Sequence, residues 1–130
     1  MAGHWPNPLG DCRCGLPTQC VGGKPFMVGM VLEGLRRYHE LTAAPRVATM
    51  IVRAARWLVS AACWVPADHG FVYSTCRSAL GHGRPGEVRE LDGLLYAYRL
   101  CGEPRFLEVA LDAFDAALRP VGQPYPERRW

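Results

Sequence analysis

LEGLRRYHELTAAPR at residues 32–46 and LDGLLYAYRLCGEPR at residues 91–105 align without a gap at an offset of 59. The match pairs Leu32 with Leu91, Gly34 with Gly93, Leu35 with Leu94, Leu41 with Leu100, Pro45 with Pro104 and Arg46 with Arg105, and Ala54 with Ala113 continues it. Each copy reads as a helix, a tight turn and a second helix. Pro45 and Pro104 suit a first helical position, where the missing N–H costs nothing and the fixed φ is already helical. The repeated unit is an αα-hairpin. One hairpin cannot bury its apolar face alone, so the two are expected to stack.

The flanking sequence completes four helices. Val28, Val31, Leu32, Leu35, Tyr38 and Leu41 recur at three- and four-residue steps, which predicts a helix over 25–41. Val47, Met50, Ile51, Ala54, Trp57 and Leu58 form the stripe of a second, from Pro45 to near Ala62. A third is expected from about Glu87 to Leu100, stopped by Gly102, and a fourth from Pro104 to Leu118. The stretch 63–86 is rich in turn residues, with one strand-like piece at Phe71–Tyr73, and a loop this long inside a domain usually has a function. The predicted class is all-α, two stacked αα-hairpins over 26–118, with an irregular Gly/Pro/Cys-rich arm at 1–25 and a Pro-rich tail at 119–130.

Composition narrows the partners. The 130 residues are 49% hydrophobic and 21% charged, enough for one core. Fifteen Lys and Arg against twelve Asp and Glu leave +3, and the basic residues are scattered, so no nucleic-acid footprint is expected. The longest mostly apolar run, Trp57 to Val65, is about half of the roughly 20 residues that a membrane helix needs, and no secretion signal opens the sequence. A soluble, cytoplasmic chain follows as the expectation, with no membrane partner and its six cysteines mostly thiols. Cys12, Cys14 and Cys20, with His4 nearby, are zinc-ligand types, but their spacing matches no paired Cys-x-x-Cys knuckle, so neither metal nor cofactor is expected.

LTAAPRVA at 41–48, LCGEPRFL at 100–107 and PFMVGMVLEGLRRY at 25–38 resemble the hairpins of the α/α-toroid superfamily, which includes the six-hairpin glycosidases and the N-acylglucosamine 2-epimerase-like proteins. Their turns often read Thr-Gly-Asp-Pro. Ala43 and Ala44 stand here in place of Gly-Asp, removing a helix cap that Glu103 supplies only in part in the second copy. A closed ring of that family has six hairpins, whereas this chain has two. The resemblance therefore implies a carbohydrate-active domain or fragment, binding a saccharide or uronate-containing substrate, with hydrolase, lyase or epimerase chemistry only in a complete ring. Self-association, or further hairpins from a longer protein, would supply the rest. The alternative is a non-catalytic helical-repeat module that binds a protein partner.

Two regions carry candidate chemistry. Stacking places the 63–86 loop at the N-terminal end of the third helix, where the helix dipole favours polar or anionic ligands. There Trp64, His69 and Tyr73 combine flat faces with polar groups, as sugar binding requires; the plain structural reading is that the aromatics pin the loop to the core. Opposite the first helix's apolar stripe lie Glu33, Arg36, Arg37 and Glu40, matched by Asp92, Leu95, Tyr96 and Arg99. Glu33 and Asp92 are the candidate acid and base, and Arg37, Tyr96 and Arg99 candidate substrate contacts; otherwise this is a solvated face with a Glu33–Arg37 pair. At the same offset Arg53 and Arg56 match Asp112 and Asp115, which reads as orientation of packing.

Overall fold

A computed structural model describes residues 5–8, 21–76 and 82–120. In chain order they form β1 (Asn7–Pro8), β2 (Val21–Gly22), α1 (Pro25–Thr42), α2 (Pro45–Leu58), β3 (Trp64–Val65), a 3₁₀ turn (Pro66–Asp68), β4 (Gly70–Val72), β5 (Gly83–Arg84), α3 (Leu91–Cys101) and α4 (Pro104–Ala117). The four helices are those expected, and α1, α2 and α4 each carry proline in their first turn. The all-α assignment needs correction: β3, β4 and β5 make a three-stranded antiparallel sheet in that order.

The hairpins stack. Helix α3 lies against α1, α2 and α4, and α1 packs on α2 and α3. Contacts advance together from the start of α1 and the lead into α3 along both helices: Gly29 meets the Arg89–Glu90 backbone, Leu32 meets Gly93 and His39 meets Tyr96, while the long Arg36 side chain reaches back to Asp92 at 3.1 Å. The two helices are therefore parallel. A Cβ on Gly93 would stand 2.5 Å from Leu32 Cδ1 and 2.7 Å from its Cβ, so glycine sets this close approach. Leu32, Ile51, Leu58, Leu94 and Phe106 are fully buried at the centre.

Helix α2 stops at Leu58, short of Ala62, because Ser60 reverses the chain: its Oγ donates to the Trp57 carbonyl at 2.6 Å, and its own carbonyl accepts from the amides of Cys63 and Trp64, both at 3.0 Å. Trp64 then enters β3 opposite Phe71, and the two rings meet edge to face at 4.9 Å. Strands β4 and β5 close up through glycines, since a Cβ on Gly70 would lie 2.5 Å from the Arg84 backbone and one on Gly83 would lie 2.7 Å from the Gly70 carbonyl oxygen. The Gly83 amide also donates to Asp68 Oδ2 at 2.6 Å, tying β5 to the 3₁₀ turn.

Helix α3 begins at Leu91, later than Glu87. The preceding backbone is pressed against Gly29 of α1, where a Cβ would come within 2.7 Å of the Arg89 carbonyl oxygen. The described part of the arm is anchored: β1 pairs with β2, and Gly23 and Thr75 exchange bonds, the Gly23 amide to Oγ1 at 3.0 Å and the Thr75 amide to the Gly23 carbonyl at 2.9 Å. Cys12, Cys14, Cys20 and His4 lie outside the described residues, as do 77–81 of the loop and 121–130 of the tail. Among the described residues, no helix is long and apolar enough to cross a membrane.

Candidate functional site

The hairpin formed by β3, the 3₁₀ turn and β4 leans on α4, and a cleft of about 460 Å³ opens between them. That is within the range of roughly 300–1,000 Å³ that small-molecule sites occupy. Trp64, Pro66 and His69 line it from the hairpin, and Arg105, Glu108, Val109 and Asp112 from α4. His69 sits at the corner into β4 with φ 49, in the left-handed region, which turns its ring toward α4. Its Nδ1 lies 2.9 Å from both Asp112 oxygens, so the carboxylate orients the imidazole. Arg105 and Glu108 form an ion pair of 3.6 Å one turn away.

The candidate residues do not form one site. Trp64 and His69 share the cleft, but Trp64 is only 3% exposed and contributes wall, with its ring packed on Phe71. Tyr73 stands elsewhere, stacked on Phe26 at 5.6 Å with Lys24 Nζ and Arg84 Cζ 5.1 and 5.2 Å from its ring centre. Glu33 is exposed and paired to Arg37 in its own helix at 2.6 Å. Asp92 is held by Arg36 of the neighbouring helix, with Asp92 Oδ2 and Arg36 Nε buried and unpartnered. Tyr96 is buried, its hydroxyl 2.9 Å from His39 Nδ1 and Arg99 Cζ 5.6 Å from its ring centre. Each candidate carboxylate is thus neutralised by an arginine within the α1/α3 face.

The cleft follows the flank of α4, and among the described residues none from α3 lines it. The end of α3 holds a different group. Glu90, the residue before the helix, is 1% exposed, and neither carboxylate oxygen has a hydrogen-bond partner from another described residue. Burial, with a smaller push from Glu87, raises its pKa to about 7, against lowering by its own backbone amide and Arg89. Cys63, also buried, is pushed up to about 12, chiefly by burial and in part by Glu90, while Ser60 pulls the other way. A thiol so held is not a nucleophile at neutral pH.

Asp112 was legible only as an outer-helix charge, because its role depends on a sheet too short to show alternation in sequence. Glu90 carried a signal in its spacing: it precedes Leu94 by one turn on the buried side of α3. Among the described residues, no group of three or more His, Cys, Asp or Glu is placed to hold a metal ion, and Cys63 and Cys101 are free thiols. Of the outer-helix charges matched by the offset, Arg56 Nε donates to Glu103 at 2.9 Å, and Asp112 faces His69. No protein-family model, curated protein or solved structure matches the chain.

Proposed function

We propose that the chain is a saccharide-binding domain of the α/α-toroid type that takes a uronate-containing sugar in the cleft beside α4. The observation that carries this reading is the lining of that cleft. Pro66 offers exposed apolar surface for a ring face, with Trp64 and the buried Val109 as wall behind it, while Arg105, Glu108 and the His69–Asp112 pair offer charged and hydrogen-bonding groups around it. A uronate carboxylate competes with Glu108 for Arg105, a planar donor suited to two parallel bonds. Hydrolysis, elimination or epimerisation would each need a proton carrier, and His69, oriented by Asp112, fits that role better than the arginine-paired Glu33 and Asp92. Chemistry spread over a whole ring belongs to an assembly larger than two hairpins.

Calorimetric titration of glucuronate- and galacturonate-containing disaccharides, each beside its neutral counterpart, tests the reading. Uronate binding that weakens at least tenfold in Arg105→Ala and in His69→Ala supports it. Equal affinity for charged and neutral sugars, or binding unmoved by both substitutions, rejects it. A second reading, a non-catalytic helical-repeat module, draws on the apolar side chains that α1 and α4 leave exposed.

A further inference from the structure

The repeat allows each exposed helix position to be compared with a counterpart 59 residues away that the chain itself covers. On α1, Tyr38 is 54% exposed, whereas its counterpart Ala97 on α3 is 0% exposed. Leu41 is exposed, whereas Leu100 packs against the core beside Val52 of α2. Gly34 meets nothing within 4 Å, whereas Gly93 receives Leu32. The first hairpin is what covers the α3 positions, and among the described residues no hairpin covers those of α1. The far end shows the converse. Phe114 on α4 is 48% exposed where Ala55 on α2 is 0%, and Leu111 and Leu118 are exposed where Val52 and Val59 pack on the core.

We infer that a second copy of this chain docks head to tail, with α1 of one copy seated along α4 of the other, continuing the hairpin stack. The internal junction is the template: the bare positions at the two ends are the repeat equivalents of its two covered sides. Larger residues stand at the ends, Tyr38 for Ala97 and Phe114 for Ala55, so the copies meet at wider spacing over a more aromatic contact. The contact is heterologous, using two different surfaces, and either closes into a ring or grows as an open chain. On α4 it uses Leu111, Phe114 and Leu118, a different stripe from the Arg105, Glu108 and Asp112 that line the cleft. The inference therefore stands apart from the saccharide reading.

Light scattering on a sizing column, over a concentration series of the full 130-residue chain, reads the association. Tyr38→Glu blocks one face and Phe114→Glu the other, and both positions are exposed enough to leave the helical circular dichroism unchanged. Wild-type mass is expected to rise with concentration, each variant alone to weaken association at least tenfold, and an equimolar mixture of the variants to form a one-to-one dimer through the intact face of each. A symmetric, self-matching interface gives no such rescue. The inference is overturned by a wild type that stays monomeric, which would assign these faces to hairpins of a longer chain. It is equally overturned by association that survives both substitutions, or by a mixture that stays monomeric.

Discussion

Helices α1 and α3 are built from the same unit, yet their surroundings invert the usual rule at one matched position. The offset aligns Val31 with Glu90, and the apolar residue is exposed while the acid is buried with no hydrogen-bond partner from another described residue. The hairpin repeat fixes the backbone path, but the neighbour decides what each side chain meets. Glu90 faces inward because the first hairpin lies against the start of α3 and the Arg89–Glu90 backbone rests on Gly29. The largest effect expected from this contrast is a pH dependence of stability. Glu90 has its pKa raised from 4.5 to about 7 on folding, so the folded state holds its proton more tightly than the unfolded state between those values. Stability therefore falls as pH rises through that window, by about 3 kcal/mol, and levels above it. Glu90→Gln removes the titration. Urea unfolding of the variant from pH 4 to 8 is expected to lose this slope and to give a more stable protein at pH 8; an unchanged slope would place the burden on another group.

A second contrast separates shape from charge. Gly34 and Gly93 are repeat equivalents, but only Gly93 has a neighbour inside the space that a Cβ would take. Gly93→Ala forces Leu32 off α3 or out of its rotamer, an overpacking expected to destabilise by about 1–3 kcal/mol. Gly34→Ala adds a methyl in open space on a helix surface and is expected to stabilise by about 0.5–1 kcal/mol through helix propensity. Opposite signs in the two denaturation curves would confirm that the junction, and not the repeat itself, demands glycine. Equal losses would mean that α1 is as closely packed as α3.

The same comparison explains what could be read from the sequence. The helices, their proline starts and the stacking of hairpins follow from period and repeat, both of which are local. The strand-like piece at Phe71–Tyr73 overlaps β4, but the rest of the sheet escaped because strands of two or three residues are too short to alternate, and because it is assembled from Ser60's reversal, the Gly70–Gly83 approach and the Asp68 bond to Gly83. The cleft escaped with it, since His69 and Asp112 are 43 residues apart and meet only when that sheet leans on α4. Glu33 and Asp92 were legible as matched carboxylates, but their partners were not. The repeat aligns Arg36 with Leu95, so nothing in the alignment announced that Arg36 would cross to Asp92.

The turns offer the finest contrast. At the end of α3, Gly102 takes φ 71, and at the matched end of α1 it is Ala43 that takes φ 50. Both amides close the helix in the same way, to the carbonyls of Tyr98 and His39, each at 2.7 Å. The difference therefore lies in the side chain, since Cβ in the left-handed region costs roughly 1–2 kcal/mol. The following cap is also missing in both copies. Ala44 has no side-chain acceptor to offer, and Glu103, expected to cap in part, makes no cap bond and gives its carboxylate to Arg56. Ala43→Gly relieves the strain but frees the unfolded chain, which returns about half of the gain. The net expectation is stabilisation by about 0.5–1 kcal/mol, and Gly102→Ala should destabilise by about 1 kcal/mol. Paired urea melts of the two variants read both signs. A loss in Ala43→Gly would show that the first turn draws its conformation from something other than its backbone, with Thr42, whose Oγ1 donates to the Tyr38 carbonyl at 2.9 Å and accepts from Ala44, the residue to test next.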